Sequence, residues 1–171
     1  MAQSNALLLA RDLSKALASL PGVLAVALGG SLAGDLNEDE SDVDLYVYAD
    51  DPPPVAMRSA LIDDGRGAEI DNRFWETGDE WEESGSGIAV DVTYRSPRWI
   101  EDQLDRVLVR HQAATGYTTA VWHNVRTSKL LADSDRWYEA LQTRANVDYP
   151  EELRQAIVAK NQPILQAAKG S

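Results

Sequence analysis

Leu9, Leu13, Leu17 and Leu20 recur at helical spacing, predicting a helix over 4–20 with Ser4 or Asn5 as its N-cap and Pro21-Gly22 as its stop. Val23 to Leu28 is almost wholly apolar and bounded by glycines, as suits a strand buried on both faces that delivers Gly29-Gly30-Ser31 at its C-terminal end. From Asp42 the period becomes two: Val43, Leu45 and Val47 face one way, while Asp42, Asp44, Tyr46 and Tyr48 face the other. Asp51 and three prolines, Pro52, Pro53 and Pro54, break that strand. A helix over 55–62, closed by Asp63-Asp64-Gly65, then gives a βαβ-like beginning.

Two further strands are predicted, over 68–76 and 87–94, joined by a polar segment containing Gly78-Asp79-Glu80-Trp81 and a Gly85-Ser86-Gly87 turn. In the second, Ile88, Val90, Val92 and Tyr94 alternate with Ala89, Asp91 and Thr93, which sets Asp91 on the less apolar face. Ser96-Pro97 opens a helix with Ile100, Leu104, Val107 and Leu108 as its buried stripe. A short helix over 117–125, a closing strand over 127–131 and a helix around Trp137, Tyr138 and Leu141 follow. The last helix opens at Pro150-Glu151-Glu152, and Pro163 should kink or restart it.

Composition narrows the class. The 171 residues suffice for one compact domain with a real core. The absence of cysteine rules out disulfides and thiolate metal sites, so any metal must be held by oxygen, and a reducing, cytoplasmic setting is expected. Leu7-Leu8-Leu9 is too short to span a membrane and is followed by Arg11 and Asp12. A net charge of -12 argues against duplex nucleic acid and favours cationic partners.

Two aspartates at alternate positions on one strand face hold their carboxylates close together, where they repel unless a cation lies between them. Asp42, Asp44 and the strand-borne Asp91 offer the hard oxygen ligands that suit Mg²⁺, which fills its shell with water and substrate phosphate. Gly29 and Gly30 let the backbone approach an anion, and Ser31 adds a donor. A phosphate-gripping turn beside metal-gripping carboxylates implies phosphoryl or nucleotidyl transfer.

Gly29-Gly30-Ser31, a spacer, Ser41-Asp42-Val43-Asp44-Leu45-Tyr46 and a third aspartate in Val90-Asp91-Val92 resemble the nucleotidyltransferase superfamily typified by DNA polymerase beta. In character the chain is similar to small bacterial enzymes such as aminoglycoside and lincosamide nucleotidyltransferases, and to minimal nucleotidyltransferases. The resemblance implies an α/β (α+β) fold with a mixed β-sheet flanked by helices and with C-terminal helices. It implies that Gly29, Gly30 and Ser31 hold the triphosphate, that Asp42 and Asp44 ligate two Mg²⁺ ions, and that Asp91 ligates the catalytic ion or acts as base. Transfer of a nucleoside monophosphate, from ATP in the first instance, to a hydroxyl acceptor is the expected reaction. The nucleotidyltransferase domain is expected over 1–148, with 149–171 beginning a truncated helical region. The acceptor site is expected to be completed by helices beyond 171 or by a second copy in a homodimer. One departure is plain: many relatives carry an arginine shortly after the serine, whereas Leu32, Ala33, Gly34 and Asp35 stand here. Arg73, Arg95 and Lys129 are the candidates to compensate.

Simpler readings compete. The missing arginine suits an inactive, antitoxin-like module that binds a nucleotide or a partner and transfers nothing. The stretch from Asp35 to Asp44 fails as a calcium loop, because Glu40 stands where the turn glycine belongs and Tyr46 where the bidentate glutamate belongs. His111 and His123 have no metal-like spacing. Asp79, Glu80, Glu82 and Glu83 read as a solvated loop face, with lining of a pocket for a cationic acceptor as the functional alternative. Trp75, Trp81, Trp99, Trp122 and Trp137 read as core or helix anchors.

Overall fold

The structure is a computed structural model describing residues 4–34, 42–62 and 66–169, the last helix beyond residue 164 by its backbone alone. The acidic stretch from Asp35 to Ser41, the Asp63-Asp64-Gly65 stop and the Gly170-Ser171 tail lie outside the described residues.

Helix α1 (Asn5–Ala18) is capped by Ser4, whose side chain accepts from the Leu7 amide. Its buried face is Ala6, Leu7, Ala10, Ser14 and Leu17, while Leu9, Leu13 and Leu20 flank the core half-covered. The small alanines at the centre of that face let the helix lie close on the sheet. Strands β1 (Val23–Leu28), β2 (Val43–Ala49), β3 (Arg66–Asn72), β4 (Gly78–Glu82), β5 (Ala89–Arg95) and β6 (Lys129–Asp133) form one mixed sheet in the order β3-β4-β5-β2-β1-β6. Among the described residues only the β2–β5 pairing is parallel, and the other pairings along the sheet are antiparallel. The parallel partner of β2 is therefore β5, reached after the β3–β4 hairpin, and not the strand directly after α2 (Val55–Ser59).

The chain divides into two compact units, Met1–Pro97 with Thr127–Ala140, and Arg98–Arg126 with Leu141–Ser171. In the first, Val43, Leu45 and Val47 of β2, Val90, Val92 and Tyr94 of β5 and Trp81 of β4 pack with α1. The opposite face of β2 carries Tyr48, fully buried against Trp137 and Tyr138 at ring separations of 5.3 and 4.9 Å. Asp44 and Tyr46, nearer the N-terminal end of β2, stay half-buried. The second unit takes in most of α3 (Pro97–Leu108) and α4 (Ala120–Thr127), the end of α5 (Trp137–Ala145) and α6 (Glu151–Lys169), a helix that runs through Pro163. There Trp122 donates its indole N–H to the Ala145 carbonyl at 2.7 Å, and Gln142 donates to that of Val125 at 3.0 Å.

Strand β4 lies where the sequence predicts a polar loop. Asp79 and Trp81 point inward and Glu80 and Glu82 outward, a period-two pattern hidden because its first inward residue is charged. That aspartate is 1% exposed and fully compensated. Arg58 of α2, itself 2% exposed, donates to Asp79 Oδ1 at 2.5 Å, and the Tyr94 hydroxyl donates to Oδ2 at 2.8 Å. The remaining guanidinium donors reach Asp71 Oδ1 and the Pro53 carbonyl, so one arginine joins α2, β3 and β4.

Replacing one member of such a pair strands the other charge in the core. R58A is expected to lower the unfolding free energy in urea by about 3–5 kcal/mol, and R58M/D79L to recover most of it. A loss below about 1 kcal/mol, the scale of an exposed pair, would show that the network carries no structural weight.

Candidate active site

The site is built on β2. Asp44 and Asp91 are direct register partners on the parallel pair β2–β5, and Asp91 is in turn opposite Glu80, and Glu80 opposite Glu69. Register partners project to the same face, with strands about 4.8 Å apart, so four carboxylates form a row across the sheet. Asp42, two residues before Asp44, shares that face. The three sequence-predicted aspartates are thus drawn together by strand pairing.

On the β1 side the bend presses on the same strand. The Gly29 amide donates to the Asp44 carbonyl at 2.8 Å. Gly30 has φ +62° and ψ -159°, and a Cβ there would fall on the Asp44 carboxylate. A Cβ on Gly29 would lie 2.5 Å from Tyr46 Cε2. Both glycines are therefore required by close approach to β2, not merely by a turn. Ser31 then opens a short 3₁₀ turn, Ser31–Ala33, with its side chain exposed.

On the other side of Asp44, toward β3, a cleft of about 420 Å³ opens. Asp42, Asp44, Asp91, Glu69, Glu80 and Glu82 line it, with Trp81 below. Arg66 is the one cation among the described residues of its wall. The acidic run of β4 is consequently split by strand alternation: Asp79 is buried with Arg58, Glu80 and Glu82 face the cleft, and Glu83 accepts from the amide and hydroxyl of Ser86 in the next turn. Reading the run as one solvated face is corrected by the pleat. Among the tryptophans, Trp81 and Trp122 are buried as anchors, but Trp75 is 90% exposed beside Phe74 on the β3–β4 connection.

The electrostatics match this crowding. Burial, and then the neighbouring Asp42, raise the Asp44 carboxyl above its ordinary range. Burial, Glu80 and Asp44 push Asp91 up to about 6. Among the described residues no group of three or more acidic or histidine side chains is set to hold a metal ion as it stands. The donor set is nevertheless all oxygen and charged in excess, which is the chemistry a hard divalent cation satisfies.

Of the cations considered for the missing arginine, Arg95 is buried and makes a bidentate pair with Glu76, both contacts at 2.8 Å. Arg73 pairs with Asp71 at 2.9 Å. Lys129, exposed at the start of β6, is the register partner of Leu28, one residue before the bend.

The profile of the nucleotidyltransferase domain matches residues 10–112, more than half of the chain. The chain belongs to the nucleotidyltransferase-domain family. Residues 10–112 take in β1, the bend, β2 and β5, that is, every residue of the candidate site. A nucleotidyltransferase-like protein from Exiguobacterium sibiricum is similar in structure, with 14% identity and a TM-score of 0.47 over 82% of this chain. The chain spans 38% of that protein's length. A mutant of the toxin–antitoxin MntA–HpeT is similar with 15% identity and a TM-score of 0.45, over 94% of this chain and 98% of its own. No curated protein matches the sequence.

The raised carboxyl has a thermodynamic signature. Asp91 keeps its proton to about pH 6 in the folded protein but only to about pH 3.9 when unfolded, so the folded state binds more protons between those values. The contribution of Asp91 to the stability of the metal-free protein therefore falls as pH rises through that window and is constant above it. D91N removes the loss: in EDTA it should melt a few degrees above the parent at pH 7.5 and level with it at pH 4. Equal melting temperatures at both pH values would show that Asp91 is not held in a crowded carboxylate row.

Proposed function

We propose that this nucleotidyltransferase-family protein is an Mg²⁺-dependent enzyme that moves a nucleoside monophosphate, from ATP in the first instance, to a hydroxyl acceptor and releases pyrophosphate. The observation that carries the reading is the position of Asp44, with Gly30 against its carboxylate on one side and Asp91 as its register partner on the other. A triphosphate held at the bend and an acceptor held in the cleft then meet over the aspartates.

In this reading the amides of Gly30 and Ser31 and the Ser31 hydroxyl grip the phosphate oxygens. Asp42, Asp44 and Asp91 would hold two Mg²⁺ ions, which when bound supply charge neutralisation at the phosphates and a lowered pKa for the attacking hydroxyl. The Asp91 carboxylate takes the acceptor proton. The bond from acceptor oxygen to α-phosphorus forms as the bond from α-phosphorus to the bridging oxygen breaks, and the electron pair leaves on pyrophosphate. Asp91 is suited to the proton by position, since it stands in register between Asp44 and Glu80 on the wall of the cleft that would hold the acceptor.

The acidic lining of the cleft supports a small hydroxyl-bearing cation as the acceptor, oriented by Glu69, Glu80 and Glu82. The cytoplasm, where ATP and Mg²⁺ are abundant, is the compartment this chemistry needs. Among the described residues no helix is long and apolar enough to cross a membrane. The engagement of Arg95 and Arg73 with carboxylates favours a second reading, a module that binds nucleotide without transferring it.

Labelled ATP with Mg²⁺ and a panel of polycationic alcohols separates the two readings, since adduct and pyrophosphate appear only under the first. D42N or D44N should abolish Mg²⁺-dependent ATP binding in calorimetry, while D91N should keep most binding and stop transfer. Full transfer by all three variants would sink the assignment. S31A should weaken ATP binding by about 1–3 kcal/mol, the scale of a hydrogen bond to a charged group. Unaltered affinity would reduce Ser31 to a turn residue.

A further inference from the structure

Tyr46 follows Asp44 on the same face of β2 and has no part in the reaction just described. Its ring is fixed from two directions. Above it, the edge of the ring occupies the space a Gly29 side chain would take, 2.5 Å from an added Cβ. Beside it, the Arg95 guanidinium lies 4.3 Å from the ring centroid. Arg95 sits at the C-terminal end of β5, and its bidentate bonds to Glu76 hold the guanidinium plane. A planar, desolvated guanidinium on an aromatic face is a stiff contact. Glu76, Arg95, Tyr46 and Gly29 therefore form a continuous strut from the β3–β4 connection to the glycine bend.

We propose that Tyr46, backed by Arg95, is a positioning residue that sets the height of the Gly29-Gly30-Ser31 bend over Asp44 and thereby governs nucleoside triphosphate affinity. The bend follows directly on β1, and among its described contacts with β2 are the Asp44 carbonyl, the Asp44 carboxylate and this ring. Asp44 holds Gly30 through its carboxylate and the Gly29 amide through its carbonyl, while the ring supports the side-chain face of Gly29, so loss of the ring lets the bend tilt about that hydrogen bond while both aspartates keep their strand positions. The proposal rests on the reading of the bend as the triphosphate grip.

The test measures Mg²⁺-ATP binding by calorimetry, and KM and kcat where transfer is detected, on the full chain. Y46A should raise Kd and KM for ATP about tenfold, with kcat at saturation changed far less. Y46F keeps the ring and should recover the parent affinity. G29A drives a methyl into the ring and should also weaken ATP binding, and G29A/Y46A, with room restored, should bind more tightly than G29A alone. Circular dichroism and melting confirm that each variant is folded before its affinity is compared. ATP affinity in folded Y46A equal to the parent, or no gain from G29A to G29A/Y46A, overturns the proposal. A parent protein that binds no ATP in Mg²⁺ defeats the triphosphate reading of the bend, a result distinguishable from failure of the strut.

Discussion

The site depends on one pairing, the parallel alignment of β2 with β5. It sets two carboxylates from residues 44 and 91 side by side on a face where each already loses hydration. Such a juxtaposition is unfavourable in the bare protein and is tolerated because the surrounding contacts over-determine it. The hydrophobic residues on the reverse of the same strands, Val43, Leu45, Val90 and Val92, are buried against α1. A slip of one residue would turn those side chains to solvent, so burial on one face enforces charge crowding on the other.

Much of this was legible in the chain. The period-two pattern from Val43 to Tyr48 placed Asp42 and Asp44 on one face, and alternation around Val90 and Val92 did the same for Asp91. The glycine pair is marked by its place at a strand end. What could not be read was why both glycines are needed, because the answer lies in the Asp44 carboxylate and the Tyr46 ring on the neighbouring strand. Strand β4 was missed for a related reason. A buried aspartate imitates a loop residue unless its partner, Arg58, 21 positions earlier, is known to reach it. Trp75 failed in the opposite sense, since aromatic size suggested an anchor where the connection leaves it in solvent.

The same alternation resolves the meaning of the acidity. The negative charges near the site do different work: Asp79 closes a buried ion pair, Glu76 braces Arg95, Glu83 caps a turn, and Glu80 and Glu82 set the potential of the cleft. Net charge alone cannot make that distinction, whereas strand direction and burial can.

The wall of the cleft farthest from the aspartates is β3, an edge strand whose pairing with β4 shifts register at two places and whose first four residues are exposed. Gly67 and Asp71 take positive φ there, at 60° and 61°. Irregular backbone and outward charge make a poor template for another sheet, which protects the molecule from edge-to-edge polymerisation. They also leave residues 66–69 exposed at the mouth of the cleft, while Asp71 farther along the strand is held by Arg58. Arg66 and Glu69, exposed on this wall, can therefore change the shape and charge of the mouth of the cleft at little thermodynamic cost, whereas Gly67, held at positive φ, takes a side chain only with strain.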